Sequence, residues 1–211
     1  IIKDPKRLYI ATPEAFGSES GGVRVEDMVK RDNAVAGVNG GGFLDVNGLG
    51  DGGTPMGYVI KGGSLVFGRE SDVAAVVGFD GEGKLIVGYM SAADALKRGV
   101  VEGLTFSPVG PLIINGEALD VKGTGGGLNP RTAIGQRADG SILLLCIDGR
   151  QAHSLGASFK DLIGIFTEYG AVNAANLDGG SSSVMIYEGK AVSVTASIYG
   201  SRKLPTAILV K

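Results

Sequence analysis

The sequence predicts an α+β fold, a single domain over residues 1–211 with a mostly antiparallel or mixed β-sheet, several hairpins and about three helices. Two observations carry this. Strand-like runs outnumber helical ones, and several of those runs are joined by hairpin turn signals rather than by helices.

The strand-like runs, in order, cover residues 34–38, 57–60, 73–79, 85–89, 112–114, 142–147, 184–187 and 207–210. Asp80-Gly81-Glu82-Gly83 links two of them. Asp139-Gly140 turns residues 132–136 into 142–147, and Glu188-Gly189 turns 184–187 into 190–194. The first helix spans 24–32, with Val25, Met28 and Val29 on one face. The second starts at the capping-box-like Ser91-Ala92-Ala93-Asp94 and stops at Gly99. The third is capped by Ser158, with Asp161 three residues later and Gly170 at its end. Its residues Phe159, Leu162, Ile163, Phe166 and Tyr169 recur at helical spacing and read as a core stripe. Residues 142–147, this helix and residues 174–177 read as one parallel crossover.

Composition excludes several function classes. Hydrophobic residues make up 44% and charged residues 20%, a globular balance with material for a core. A net charge of −2 leaves no basic face for a polyanion and argues against nucleic acid as a partner. No apolar run is long enough to span a bilayer, and no signal peptide is visible. The opening Ile1-Ile2 is read as the start of a processed or truncated piece. The one cysteine, Cys146, forms no internal disulfide and reads as a small buried hydrophobe. With one His and one Cys, a catalytic zinc site and a Ser-His-Asp triad are both disfavoured.

Glycine is the unusual number, 37 residues, clustered in Gly40-Gly41-Gly42, Gly125-Gly126-Gly127 and Gly179-Gly180. Clusters of this kind serve tight turns or close approach of backbone to a ligand.

Three segments carry candidate chemistry. In Asn176-Leu177-Asp178-Gly179-Gly180-Ser181-Ser182-Ser183 an apolar strand delivers a carboxylate into a turn rich in N–H and hydroxyl donors. Such a nest suits a phosphate, and the same pattern also fits a turn in which Asp178 bonds its own backbone. Asn129-Pro130-Arg131-Thr132 is followed one hairpin later by Ile147-Asp148-Gly149-Arg150, which brings two arginines and a carboxylate to one sheet end. Arginine forks match phosphate oxygens, although a surface Arg–Asp pair would look the same. In Val38-Asn39-Gly40-Gly41-Gly42-Phe43 a strand runs into an amide that can both donate and accept. A plain glycine-rich turn is the alternative.

Taken in this order, the segments 39–43, 130–132, 148–150 and 176–182 resemble the phosphodiester glycosidase family, in a bacterial-type form with one extra glycine. The segment 52–57, the Ser154-Leu155-Gly156 turn, Arg202 and Pro205-Thr206-Ala207 match as well, so the resemblance covers nearly the whole chain. It implies a glycosidase that hydrolyses a sugar-1-phosphodiester. Its mammalian member removes N-acetylglucosamine from a phosphodiester on mannose. Bacterial relatives are linked to cell-surface or exopolysaccharide chemistry, so an extracytoplasmic or cell-surface location is implied.

The expected partner is a glycosyl phosphodiester or a phosphate-containing glycan. The catalytic candidates are Asp178, Asp148 and Arg131. The substrate-binding candidates are Asn39, Gly41, Phe43, Thr132, Arg150, Asn176, Gly179, Gly180, Ser181 and Ser182. Arg131 and Arg150 are the expected phosphate grip, with residues 181–183 assisting. One carboxylate acts as nucleophile or as base toward water, since a phosphodiester leaves without needing a proton. His153 is expected to be peripheral. No cofactor is required, but Asp45, Asn47 and Asp51 could hold Ca²⁺ or Mg²⁺, or form an Asx-turn cluster. Two rivals use the same residues, a glycosyl or phosphoryl transferase acting on a wall polymer and a non-catalytic glycan-binding module. The absence of Trp and the 6% aromatic content speak against the module.

Overall fold

Among the described residues, five of the twelve strand pairings are hairpins between consecutive strands, and the other seven join strands that are not consecutive in sequence. The computed structural model describes residues 1–107, 109–122 and 126–211; Gly125 of the second glycine cluster lies outside the described residues. In chain order the elements are β1 (Leu8–Ala11), α1 (Val25–Arg31), β2 (Ala36–Asn39), β3 (Val59–Lys61), β4 (Ser64–Phe67), β5 (Val73–Asp80), β6 (Leu85–Ser91), α2 (Ala92–Lys97), β7 (Val100–Thr105), β8 (Pro111–Ile114), β9 (Glu117–Ala118), β10 (Arg131–Arg137), β11 (Ile142–Ile147), α3 (Phe159–Glu168), β12 (Ala171–Asn176), β13 (Met185–Tyr187), β14 (Lys190–Ala191) and β15 (Ala207–Val210).

Among the described residues they form three five-stranded sheets, in the orders β1-β15-β2-β13-β14, β11-β10-β12-β8-β9 and β4-β3-β7-β5-β6. Neighbouring strands pair antiparallel throughout. The α+β class is therefore as expected. No helix among the described residues is long and apolar enough to cross a membrane.

The three hairpins read from Asp-Gly and Glu-Gly signals form where expected. At the first, Asp80 Oδ1 accepts the N–H groups of Glu82 and Lys84, both at 2.9 Å, which closes the turn between β5 and β6. At the second, β10 and β11 pair so that Arg131 faces Ile147 and Thr132 faces Cys146. At the third, Glu188 takes a φ of 49° between β13 and β14.

The expected parallel crossover is present, with one strand between its ends. The strands β11 and β12 run in the same direction, joined through α3, but β10 lies between them and pairs antiparallel with both. The helix packs across this sheet through Phe159, Leu162 and Phe166, in one cluster with Leu112, Ala133 and Ala174. Ser158 and Asp161 form a full capping box at its start. Tyr169 departs from the predicted core stripe. It is the C-cap residue, past the last helical turn, and 53% exposed.

One hydrophobic cluster draws on all three sheets, with Ile10, Val38 and Ile208 from the first, Ile134 and Ala175 from the second, and Val77 and Leu104 from the third. The sheets also touch by backbone. A Cβ built at Gly41 would stand 2.3 Å from the Thr105 carbonyl oxygen, and one at Gly40 would stand 2.5 Å from Thr206 Oγ1. Only glycine permits that approach. It brings the ends of β2 and β7 and the segment before β15 together at one point.

Candidate active site

At this junction opens a cleft of about 240 Å³. Of the residues expected to act, Phe43, Arg150, Asp178, Gly179, Gly180, Ser181 and Ser182 line it. Gly42, Asp45, Met56, Phe106, Ser107 and Arg202 complete the wall.

Asp178 leaves the end of β12 and enters a 3-10 turn over Gly180–Ser182. Its backbone is fixed from two sides. Its N–H donates to the Gly40 carbonyl at 3.1 Å, and its carbonyl accepts from Asn39 Nδ2 at 2.7 Å. The carboxyl accepts the Gly179 N–H at 2.9 Å. Burial pushes its pKa up to about 6, against the opposing pull of the Ser182 hydroxyl, the Gly179 amide and the Arg202 charge.

Two arginines attend the cleft. Arg150, held at a φ of 56°, donates from Nη2 to Asn129 Oδ1 at 2.8 Å and lies over Gly180. A Cβ at Gly180 would stand 3.4 Å from the same Nη2. Arg202 grips Asp45 with two nitrogens, at 2.5 Å and 3.0 Å, and donates to the Gly50 carbonyl at 3.0 Å. Its guanidinium carbon stacks 4.8 Å above the centre of the Phe43 ring. The Arg202 fork holds the Asp45 carboxyl below the usual range.

The other expected residues stand behind the cleft. Asn39 is fully buried, and its Oδ1 accepts the Thr132 hydroxyl at 2.6 Å and the Val184 N–H at 3.1 Å. Thr132 is therefore engaged with Asn39. The Gly41 N–H donates to Thr206 Oγ1 at 2.9 Å. Asn176 Nδ2 donates to the Leu177 carbonyl at 2.7 Å, and its buried Oδ1 has no partner among the described residues.

Arg131, expected as a phosphate grip, is only 7% exposed and does not line the cleft. Its Nε donates to the Ala157 carbonyl and its Nη2 to the carbonyls of Gly126 and Gly127, each at 3.0 Å. Phe159 lies 4.1 Å beneath its guanidinium carbon. Burial, then the charge of Arg150, lowers its pKa.

Asp148 also stands outside the cleft lining. It accepts the Val194 N–H at 2.8 Å and lies 3.1 Å from His153 Nε2. The Asp45 and Asp51 carboxylates of the candidate cation loop are engaged by Arg202 and by the Gly53 N–H respectively. Among the described residues no three His, Cys, Asp or Glu side chains cluster to hold a metal.

Gly42, Asp45, Met56, Phe106, Ser107 and Arg202 line the cleft without having been expected to touch substrate, and of these Arg202 and Asp45 carry the charge. Their motifs were visible, as a closing arginine and an Asx-like loop, but 157 positions separate them and no local pattern joins the two.

Comparison with known proteins agrees with this architecture. A protein of Bacillus subtilis, the SPbeta prophage-derived uncharacterized protein YomE, is 30% identical over 185 residues, covering 80% of this chain and 27% of that protein. The bovine N-acetylglucosamine-1-phosphodiester alpha-N-acetylglucosaminidase is 28% identical over 185 residues, covering 80% of this chain and 34% of that enzyme. The chain thus spans about a third of the length of these relatives. The solved catalytic domain of the zebrafish enzyme of the same name superposes with a TM-score of 0.78 at 23% identity, covering 98% of this chain and 73% of that one. The family model described as phosphodiester glycosidase matches residues 32–211. With that match running from the end of α1 through residue 211, the protein belongs to the phosphodiester glycosidase family.

Proposed function

We propose that the chain hydrolyses the glycosidic bond of a sugar-1-phosphodiester, with Asp178 as the acting carboxylate. The observation that carries this reading is the placement of Asp178, whose carboxyl is raised to about 6, in a cleft whose cations are Arg150 and Arg202. A carboxylate with a pKa near working pH is fitted to take a proton.

In this reading the phosphate sits between Arg150, Arg202 and the Gly180–Ser182 turn, where forked cations and backbone donors converge. Water adds to the anomeric carbon, and the bond from that carbon to the phosphoryl oxygen breaks. The electron pair leaves with the phosphate monoester, which needs no proton. The proton of the water passes to Asp178 and then to solvent. Phe43 and Phe106 offer apolar walls to the sugar.

Arg131, Asn39, Thr132 and Asn176 act as positioning residues, because their side-chain bonds run to protein groups behind the cleft. Asp148 orients the segment that carries Arg150. The substrate we propose is a phosphate-linked glycan of the cell surface, met outside the cytoplasm; family kinship is the support for that part.

The test is product analysis with UDP-N-acetylglucosamine and with a simple alkyl sugar-1-phosphodiester, each with and without an alcohol acceptor. Free sugar and a phosphate monoester are the expected products. Sugar transferred to the alcohol in place of water would move the reading to a transferase. Phosphorus on the released sugar would show cleavage at the wrong bond and sink it.

A further inference from the structure

The cleft does not end at Arg202. A second chamber of about 480 Å³ shares Asp45, Ser181 and Arg202 with it. The space around Asp178, about 240 Å³, is below the roughly 300–1,000 Å³ usual for a small-molecule site. A glycosyl phosphodiester whose anomeric carbon lies at Asp178 must therefore extend into a neighbouring space.

The chemistry of that second chamber is one-sided. Of its two acids, Asp45 is neutralised by the Arg202 fork, while Asp51 accepts the Gly53 N–H and keeps its charge. Its two further cations, Arg24 and Lys203, make no ion pair among the described residues. The chamber's three cations, Arg24, Arg202 and Lys203, thus outnumber its two carboxylates, Asp45 and Asp51, which leaves a balance of one positive charge beside the candidate phosphate position. Glu26, which accepts the Ser201 hydroxyl, does not line the chamber. The wall of the cleft that carries Phe106 differs. There Phe106 is shared with an apolar space walled by Tyr89, Val109 and Phe159. Aromatic and apolar walls suit a sugar face, and cations do not distinguish one neutral sugar from another. The two sides give the substrate a direction.

We propose that the chamber beyond Arg202 is the leaving-group subsite, and that it selects leaving groups carrying a second negative charge, such as a phosphorylated alcohol joined through the phosphodiester. This rests on the hydrolytic reading above. Arg24 and Lys203 are its specificity-determining residues: the Arg24 fork meets the distal anion, and Lys203 adds a point charge. Tyr199, 85% exposed, stands at the chamber wall, where it covers the apolar part of the leaving group.

The experiment compares two diesters of one sugar-1-phosphate, one with glycerol and one with glycerol phosphate as leaving group. Wild type is expected to show kcat/KM about tenfold higher for the charged leaving group, the scale of one charge-assisted contact. In the double variant Arg24→Gln, Lys203→Gln that ratio should fall to about one, and Lys203→Gln alone, at an exposed position, should remove part of it.

Calorimetric titration supplies a readout that does not need turnover. Propane-1,3-diol bisphosphate should bind wild type about tenfold more tightly than propyl phosphate, and the double variant should bind the two alike. Equal affinities in wild type, or a gap that survives the double substitution, would overturn the subsite. Absence of turnover with both diesters would sink the hydrolytic reading, while the binding gap would still decide the chamber.

Discussion

Asn39 and Asp178, 139 positions apart in the chain, are joined by a 2.7 Å hydrogen bond from the Asn39 side-chain amide to the Asp178 backbone carbonyl. The bond links the end of β2 to the end of β12 and so ties two sheets together at the cleft floor. Because Asn39 Oδ1 is taken by Thr132 and Val184, the amide is used at both ends.

Asn39→Ala would leave the Asp178 carbonyl, the Thr132 hydroxyl and the Val184 N–H without their partner. Each unsatisfied buried group costs about 1–3 kcal/mol, partly relieved by relaxation, so a loss of about 3 kcal/mol in urea unfolding is expected. A lowered kcat with little change in KM is expected as well, since Asp178 would be displaced while the arginines remain. A variant as stable as wild type would show that the bond does not fix the floor.

Asp178→Asn separates chemistry from stability. Loss of the carboxylate should lower kcat by roughly 10²–10⁴, the usual range for a general base. Stability should change in the opposite direction above neutrality. The Asp178 carboxyl is raised in the folded protein, so below about pH 4 it is neutral both folded and unfolded. As pH rises through about 6 the fold must carry a buried charge, and stability is lost. The Asn variant escapes that penalty and should be more stable by on the order of 2 kcal/mol at pH 8, with the difference vanishing near pH 4. Thermal melts across that range check it. The companion measurement is the wild-type profile, in which kcat/KM should rise as pH passes about 6.

Arg131→Lys and Arg202→Lys should differ in kind. A lysine at 131 cannot reach the three carbonyls that the fork holds, so the loss should appear in stability, about 2–3 kcal/mol, with KM nearly unchanged. A lysine at 202 gives up the two-point grip on Asp45 beside the cleft, so KM for a phosphodiester should rise about tenfold. Parallel denaturation and steady-state kinetics on both variants decide this. The reverse pattern would return the phosphate grip to Arg131.

Gly41→Ala tests the backbone contact. The new methyl would fall 2.3 Å from the Thr105 carbonyl oxygen, so the sheets must separate locally. A cost of about 1–3 kcal/mol is expected, the usual range for overpacking. Gly189→Ala, in a turn with open space around it but at a φ of 73°, serves as the comparison for conformational strain without a clash.

Much of the fold was legible in local signals. The Asp139-Gly140 and Glu188-Gly189 turns are decided by residues adjacent in sequence, and the capping box of α3 lies within four positions. The strands β1, β4, β7 and β9 are not signalled, nor is the crossing of β10 between β11 and β12, because a run of two to six residues does not specify its partner. At the site the sequence identifies the segment carrying Asp178 together with Phe43 and Arg150, but it does not join Arg202, Asp45, Met56 or Phe106 to them. It displays an arginine at 131 without the three carbonyls that claim its nitrogens, and it places Arg202 and Asp45 too far apart for their pairing to be read.

The glycine contact beneath the cleft also bears on how such a protein changes over time. With backbone of one sheet pressed against backbone of another, the floor has no slack to absorb a larger side chain. The two segments above it are different. Residues 44–51 and 192–203 meet mainly through the grip of Arg202 on Asp45 and Gly50, and they carry Leu49, Ile198 and Tyr199 out to solvent. On the proposed hydrolytic reading, new leaving groups would be accommodated by exchanging those two segments as a pair over a fixed floor, much as interchangeable jaws are fitted to one vice.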